Sequence, residues 1–172
     1  MNHITPKKSL GQHFLHDKNI AKKIVELLSI PPGSIVLEIG PGTGVLTDFL
    51  LEKDIVLYAV EVDTRSIDIL QEKYANYLNQ KLFILNQDIL KVNFEEIFTK
   101  HNQKLHLIGN IPYYITSPIL FHLFDNANYL QYAVLMVQKE IALRLKAKPR
   151  TKDYGILTLA REIGRASCRE RV

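Results

Sequence analysis

The chain has 172 residues, 47% of them hydrophobic and 23% charged, a net charge of +4 at neutral pH, and one cysteine. That length suits one domain, or one domain and a fragment. The composition excludes disordered and collagen-like architectures, and a lone Cys168 excludes a disulfide framework and metal sites built on cysteine pairs.

Asp17 is placed to cap a helix whose Ile20, Ile24, Leu27 and Leu28 recur at the helical period, and Pro31, Pro32 and Gly33 end it. Residues 35–39, Ile-Val-Leu-Glu-Ile, form a short apolar run stopped by glycines, the pattern of a buried parallel strand. A helix then opens at Val45. Residues 55–60 read as a second strand and 64–78 as a helix with Ile67, Leu70 and Tyr74 on one face. A third strand over 82–85, a short helix over 94–98 and a fourth strand over 105–108 follow. Residues 118–124 read as a helix with Pro118 in its first turn, 133–137 as a fifth strand and 139–145 as a last helix. Strands alternating with helices imply a doubly wound, mostly parallel α/β sheet that takes its ligands beyond the carboxyl ends of the strands.

Three strand ends carry chemistry. After the first stands Glu38-Ile39-Gly40-Pro41-Gly42-Thr43-Gly44, where missing side chains let a ligand lie against the backbone and the following helix offers free N–H groups. Glu61 ends the second strand 21 residues after Gly40, the place of an acid that accepts hydrogen bonds from ribose hydroxyls. Asp88 follows the third, where a carboxylate can accept from an adenine amino group. Helix capping is the plainer role for both acids.

After the fourth strand comes Asn110-Ile111-Pro112-Tyr113. An exocyclic adenine amine is a poor nucleophile, so chemistry on it needs orientation more than a base. The Asn110 side-chain oxygen and a main-chain carbonyl near Pro112 can each accept one N6 proton, with Pro112 fixing the backbone. Tyr113 offers a flat face to an extruded base. In isolation such a tetrapeptide is a turn with its tyrosine in the core.

Residues 1–23 carry a net +4 and 139–152 a net +5, whereas 24–138 between them carry −6. Two basic patches on an acidic body suit a polyanion lying across one face, with Lys7 and Lys8 on phosphates; a solubilising lysine-rich surface is the alternative. The segment Lys7-Lys8-Ser9-Leu10-Gly11-Gln12-His13-Phe14-Leu15 precedes the first helix and reads, within residues 1–16, as a lid. His13 and His16 lack the carboxylate or cysteine company of a metal site, and no metal is expected. Lys7 and Lys8 lead into no apolar stretch of a secretory signal, and no run approaches the roughly 18 apolar residues of a membrane span, so the expected compartment is the cytoplasm. Four arginines and the only cysteine crowd into residues 161–172. Residues 163–172 therefore read as a non-native tail on a truncated domain over 17–162.

With Gly-Gln-His-Phe-Leu, Glu-Ile-Gly-Pro-Gly-Thr-Gly, Glu61-Val62-Asp63, Gln87-Asp88-Ile89-Leu90 and Asn-Ile-Pro-Tyr in this order, residues 5–160 resemble the rRNA adenine N6,N6-dimethyltransferase family. The likeness is greatest to the bacterial branch that dimethylates two adjacent adenosines in a hairpin near the 3′ end of small-subunit rRNA, whose loss gives kasugamycin resistance. It implies a Rossmann-like fold and S-adenosylmethionine as cofactor, contacted by His13, Leu15, Gly40, Gly42, Glu61, Asp88 and Asn110. Asn110, Pro112 and Tyr113 become the target-adenine site, and the immature 30S subunit the partner of a monomer. His13 stands where many members have Asn. The resemblance implies that the family continues with two more strands and a small helical RNA-binding domain, which are expected to be missing here. Large-subunit rRNA is the target of a sister branch, a DNA adenine enzyme would use a related Asn/Asp-Pro-Pro-Tyr, and an inactive ribosome-assembly factor is the non-enzymatic alternative.

Overall fold

The structure, a computed structural model, describes residues 15–147. Lys7, Lys8 and His13, most of the expected lid and the expected tail lie outside the described residues.

Within them the order is α1 Lys18–Leu27, β1 Ser34–Ile39, α2 Val45–Leu51, β2 Ile55–Glu61, α3 Thr64–Lys73, β3 Leu82–Asn86, α4 Phe94–His101, β4 Leu105–Asn110, α5 Thr116–Asp125, β5 Leu130–Met136 and α6 Lys139–Lys146. The strands form one sheet in the order β3-β2-β1-β4-β5, and every pairing is parallel. This is the doubly wound α/β architecture expected from the alternation of elements. No described helix is long and apolar enough to cross a membrane.

β1 is central and wholly buried, and its pleat divides the core in two. Val36 faces Ala21, Val25 and Leu28 of the α1 region and Leu46 and Leu50 of α2. Ile35, Leu37 and Ile39 face the opposite layer, with Phe94 and Ile97 of α4 and Ile119 and Leu123 of α5. A strand covered on both faces is mostly apolar, which made the run legible, although β1 also buries Ser34 and Glu38. Its one leucine, Leu37, is fully buried and contributes about 1.5–3 kcal/mol.

Three expectations are corrected. Asp17 does cap α1, accepting from Asn19 N at 2.8 Å and Ile20 N at 3.1 Å, but the buried face runs through Ala21, Val25 and Leu28. Ile20 is 44% exposed; small Ala21 hid the true stripe. α3 stops at Lys73 instead of running to 78, because Tyr74 leaves helical geometry at φ −116°, ψ 27° and a short 3-10 turn, Ala75–Tyr77, follows. β5 begins at Leu130, three residues early. Its Gln131 and Tyr132 are exposed on the sheet edge, so the start carried no apolar signal.

The chain winds from β1 out to β3 and then returns to place β4 on the other flank of β1. That reversal opens a crevice at the carboxyl ends of β1 and β4. Ile39 is in register with Gly109, so the loops after these two strands leave the sheet side by side.

Candidate active site

The loop after β1 alternates: Gly40, Gly42 and Gly44 take φ of +64°, +57° and +83°. A Cβ on Gly40 would project into open space, so its positive φ, and not crowding, demands glycine there. The Gly40 N–H donates to Val60 O at 2.9 Å, which fastens the loop to β2.

Glu61, at the end of β2, is almost fully buried. Its Oε2 accepts from Gly42 N at 3.1 Å, and its Oε1 from Val62 N at 2.8 Å and Asp63 N at 2.9 Å. Burial pushes its carboxyl up, opposed by the N–H groups of Asp63, Gly42 and Val62. A carboxylate offers about four acceptor positions; one is used in bracing the glycine loop at Gly42 and two in holding the turn after β2 at Val62 and Asp63. Glu61 is not a helix cap: Asp63 caps α3, accepting from Arg65 N at 3.2 Å. Asp88 does cap, its Oδ1 accepting from Leu90 N at 3.0 Å in the 3-10 turn Ile89–Lys91, and it also lines the hollow.

β4 delivers Asn110. It can lie beside Gly40 because residue 109 has no side chain: a Cβ there would come within 2.7 Å of Ile39 O. Ile111 N donates to Met136 O at 3.0 Å, tying the turn to β5. Pro112 follows at φ −60°, ψ 141°, and Tyr113–Ile115 form a 3-10 turn into α5. Tyr113 is 47% exposed and Tyr114 60%, so the tyrosine is at a rim and not in the core.

These loops enclose a single hollow. Leu15, Gly40, Gly42, Glu61, Asp88, Asn110, Pro112 and Tyr113 all line it; of the residues singled out in the sequence, only Lys7, Lys8 and His13 lie outside the described part. The glycine loop and the Asn110-Tyr113 turn thus open into one space.

Two contributors were missed. Glu38 lines the same hollow from inside β1, nearly inaccessible to solvent. Thr47 Oγ1 donates to its Oε2 at 2.7 Å, and its Oε1 has no partner among the described residues. Burial, only partly opposed by the Thr47 hydrogen bond, pushes this carboxyl up to about 8. A carboxylate inside an otherwise apolar strand was the available signal. Tyr114 is the other, a second aromatic at the mouth.

The lining suits a small cation. Glu38, Glu61 and Asp88 contribute carboxyl groups, and no Lys or Arg lines the hollow among the described residues. Glu38 Oε1 is a buried polar atom without a partner among the described residues, and with its carboxyl lifted to about 8 it carries a proton to donate near neutrality; the space over Gly40 lets a ligand reach the backbone. S-adenosylmethionine, with a sulfonium and an ammonium group, fits that donor and acceptor set. No described group of three or more His, Cys, Asp or Glu is arranged to hold a metal ion.

A model of the ribosomal RNA adenine dimethylase family matches residues 4–165. The chain belongs to that family. Among curated relatives of this chain, ribosomal RNA small subunit methyltransferase A of Sulfurihydrogenibium sp. is 44% identical over 160 residues, covering 92% of this chain and 61% of the relative. The protein of the same description from Alkaliphilus metalliredigens is 42% identical, covering 89% of this chain and 53% of the relative. The chain therefore spans between about half and three fifths of the length of these relatives. Among solved structures, a dimethyladenosine transferase from Plasmodium falciparum superposes with a TM-score of 0.74 at 32% identity, covering 87% of this chain and 52% of that one. The 23S rRNA methyltransferase ErmE superposes with a TM-score of 0.66 at 30% identity, covering 83% of this chain and 53% of that one.

Proposed function

We propose that the complete protein transfers methyl groups from S-adenosylmethionine to N6 of two adjacent adenosines near the 3′ end of small-subunit rRNA, in the cytoplasm and as a monomer acting on the immature 30S subunit. The observation that carries this reading is the opening of the Asn110-Ile111-Pro112-Tyr113 turn into the hollow lined by Gly40, Glu61 and Asp88. The curated relatives quoted above, named for the small subunit, are 42–44% identical, whereas the large-subunit enzyme is 30% identical; this favours the small subunit.

When bound, S-adenosylmethionine supplies an electrophilic methyl on a sulfonium. Residues 17–162 are the catalytic domain of this reading, and residues 1–16 its basic N-terminal segment. Gly40 and Gly42 present backbone to the cofactor, Leu15 and His13 cover it, Glu61 holds the ribose through its remaining acceptor position, and Asp88 Oδ2 takes the adenine amine. Asn110 accepts one N6 proton of the target and a main-chain carbonyl of the turn accepts the other, which directs the amine lone pair at the methyl. Tyr113 stacks on the extruded base. Holding both reactants in line removes the entropic part of the barrier. Lys7 and Lys8 meet RNA phosphates.

The test is methyl transfer by the complete protein from labelled cofactor to immature small subunits, large-subunit RNA and duplex DNA. Label in two adjacent adenosines of small-subunit RNA is expected. Label confined to large-subunit RNA or to DNA refutes the assignment.

A further inference from the structure

The turn that carries Asn110 offers two carbonyls to a substrate amine, those of Ile111 and Pro112. They are not equivalent. The Pro112 carbonyl accepts from Thr116 Oγ1 at 3.0 Å and from Ile115 N at 3.3 Å, so both of its lone pairs are taken by the start of α5. The Ile111 carbonyl accepts no backbone hydrogen bond among the described residues, and Ile111 lines the hollow. Thr116 itself is 1% exposed. Its hydroxyl is therefore sealed from water and held on a single acceptor.

A threonine that bonds the carbonyl four residues back is common in helices. Here that carbonyl belongs to the peptide plane joining Pro112 to Tyr113. Pro112 fixes one torsion of the turn, φ at −60°, but not the orientation of the plane that follows. The Thr116 hydroxyl supplies that second restraint, on the peptide from which the stacking tyrosine departs.

We infer that Thr116 is a positioning residue for methyl transfer: it withdraws the Pro112 carbonyl from the substrate, leaves Ile111 O as the main-chain acceptor beside Asn110, and sets the take-off of Tyr113. The inference rests on the function proposed above and names a part of its site that neither the glycine motif nor the Asn-Ile-Pro-Tyr motif contains. Thr116 touches no reacting atom. Its influence is geometric, and a displacement of about 1 Å at the reacting amine is worth up to about 100-fold in rate.

The experiment compares Thr116→Val, which keeps the shape and loses the hydroxyl, with Thr116→Ser, which keeps the hydroxyl and loses the methyl. Both are made in the complete protein and measured for kcat and KM on immature small subunits, for S-adenosylmethionine affinity by calorimetry and for thermal midpoint. Thr116→Val is expected to lower kcat by about 10- to 100-fold with cofactor affinity and KM little changed, and Thr116→Ser to retain kcat close to wild type. A wild-type kcat in Thr116→Val, or a Thr116→Ser variant as impaired as Thr116→Val, overturns the inference. Should Thr116→Val fail to fold, Thr116→Ser decides: a methyl-packing role predicts loss of kcat and a hydroxyl role its retention. If the wild-type protein itself methylates no rRNA, the functional reading falls and this inference with it; if only the variants misbehave, that reading stands.

Discussion

The hydroxyl of Tyr74 lies 2.8 Å from the Gly44 carbonyl and 2.7 Å from Asp48 Oδ1, as the shared donor to both. It clamps the end of α3 onto the last glycine of the cofactor loop, and the clamp leaves no room: a Cβ on Gly44 would sit 2.5 Å from that oxygen and 3.0 Å from Tyr74 Cε2. Residue 44 also holds φ +83°.

Gly44→Ala therefore combines left-handed strain with overpacking, and a loss of at least about 2 kcal/mol in folding stability is expected. The urea unfolding midpoint measures it. An unshifted midpoint contradicts the clamp.

Gly109→Ala drives a methyl to 2.7 Å from Ile39 O and 2.9 Å from Ile39 Cβ. β1 and β4 must separate at the point where Gly40 and Asn110 leave the sheet. Both stability and methyl transfer fall, by about 1–3 kcal/mol and by about 10-fold or more. A stable variant with full activity would show that these strands need not approach so closely.

Glu38 makes stability pH-dependent. Its carboxyl, pushed up to about 8 in the fold by burial, titrates near 4.3 in an unfolded chain, so between those values the folded state holds the extra proton. Stability is then greatest below the unfolded pKa and declines as pH rises towards about 8. Glu61 is raised by burial as well and adds a slope of the same sign. Thermal midpoints of the wild type should fall over this window, and Glu38→Gln should flatten the decline, the remainder belonging to Glu61. Parallel curves for the two proteins would exclude a titrating Glu38.

Glu61→Gln replaces one acceptor oxygen by an amino group facing N–H donors. Either the Gly42 bond or the Val62 and Asp63 bonds must be given up, and a buried unsatisfied donor costs about 1–3 kcal/mol. Cofactor affinity by calorimetry should weaken about 10-fold or more. Unaltered affinity would separate loop bracing from ligand binding.

Much of this was legible in the sequence because signals that are ambiguous alone fall in one order along the chain. A short run such as residues 35–39, apolar but for Glu38 and stopped by glycines, reads as a strand buried on both faces, and Gly40, Glu61, Asp88 and Asn110 stand at strand ends or within two residues of them, which a doubly wound sheet brings to one rim. What was not legible depends on contacts between distant residues. Tyr74 ends α3 early by reaching Gly44, thirty residues back, and Gly109 is dictated by Ile39 across the sheet. Thr116 carries no motif, since its partner is a backbone oxygen. Glu38 was visible as a charge in a hydrophobic strand, but its missing partner and its lifted titration follow only from packing.

The absence of Lys and Arg among the described residues of the hollow bears on turnover. The Glu61 and Asp88 carboxyl groups, with Glu38 holding its proton near neutrality, hold a sulfonium more firmly than the uncharged thioether left once the methyl has gone. Under the proposed function each adenosine takes two methyls, so spent cofactor must be exchanged between transfers. The same acidity that favours loading loosens the spent form, and the pocket's charge works as a ratchet for successive rounds.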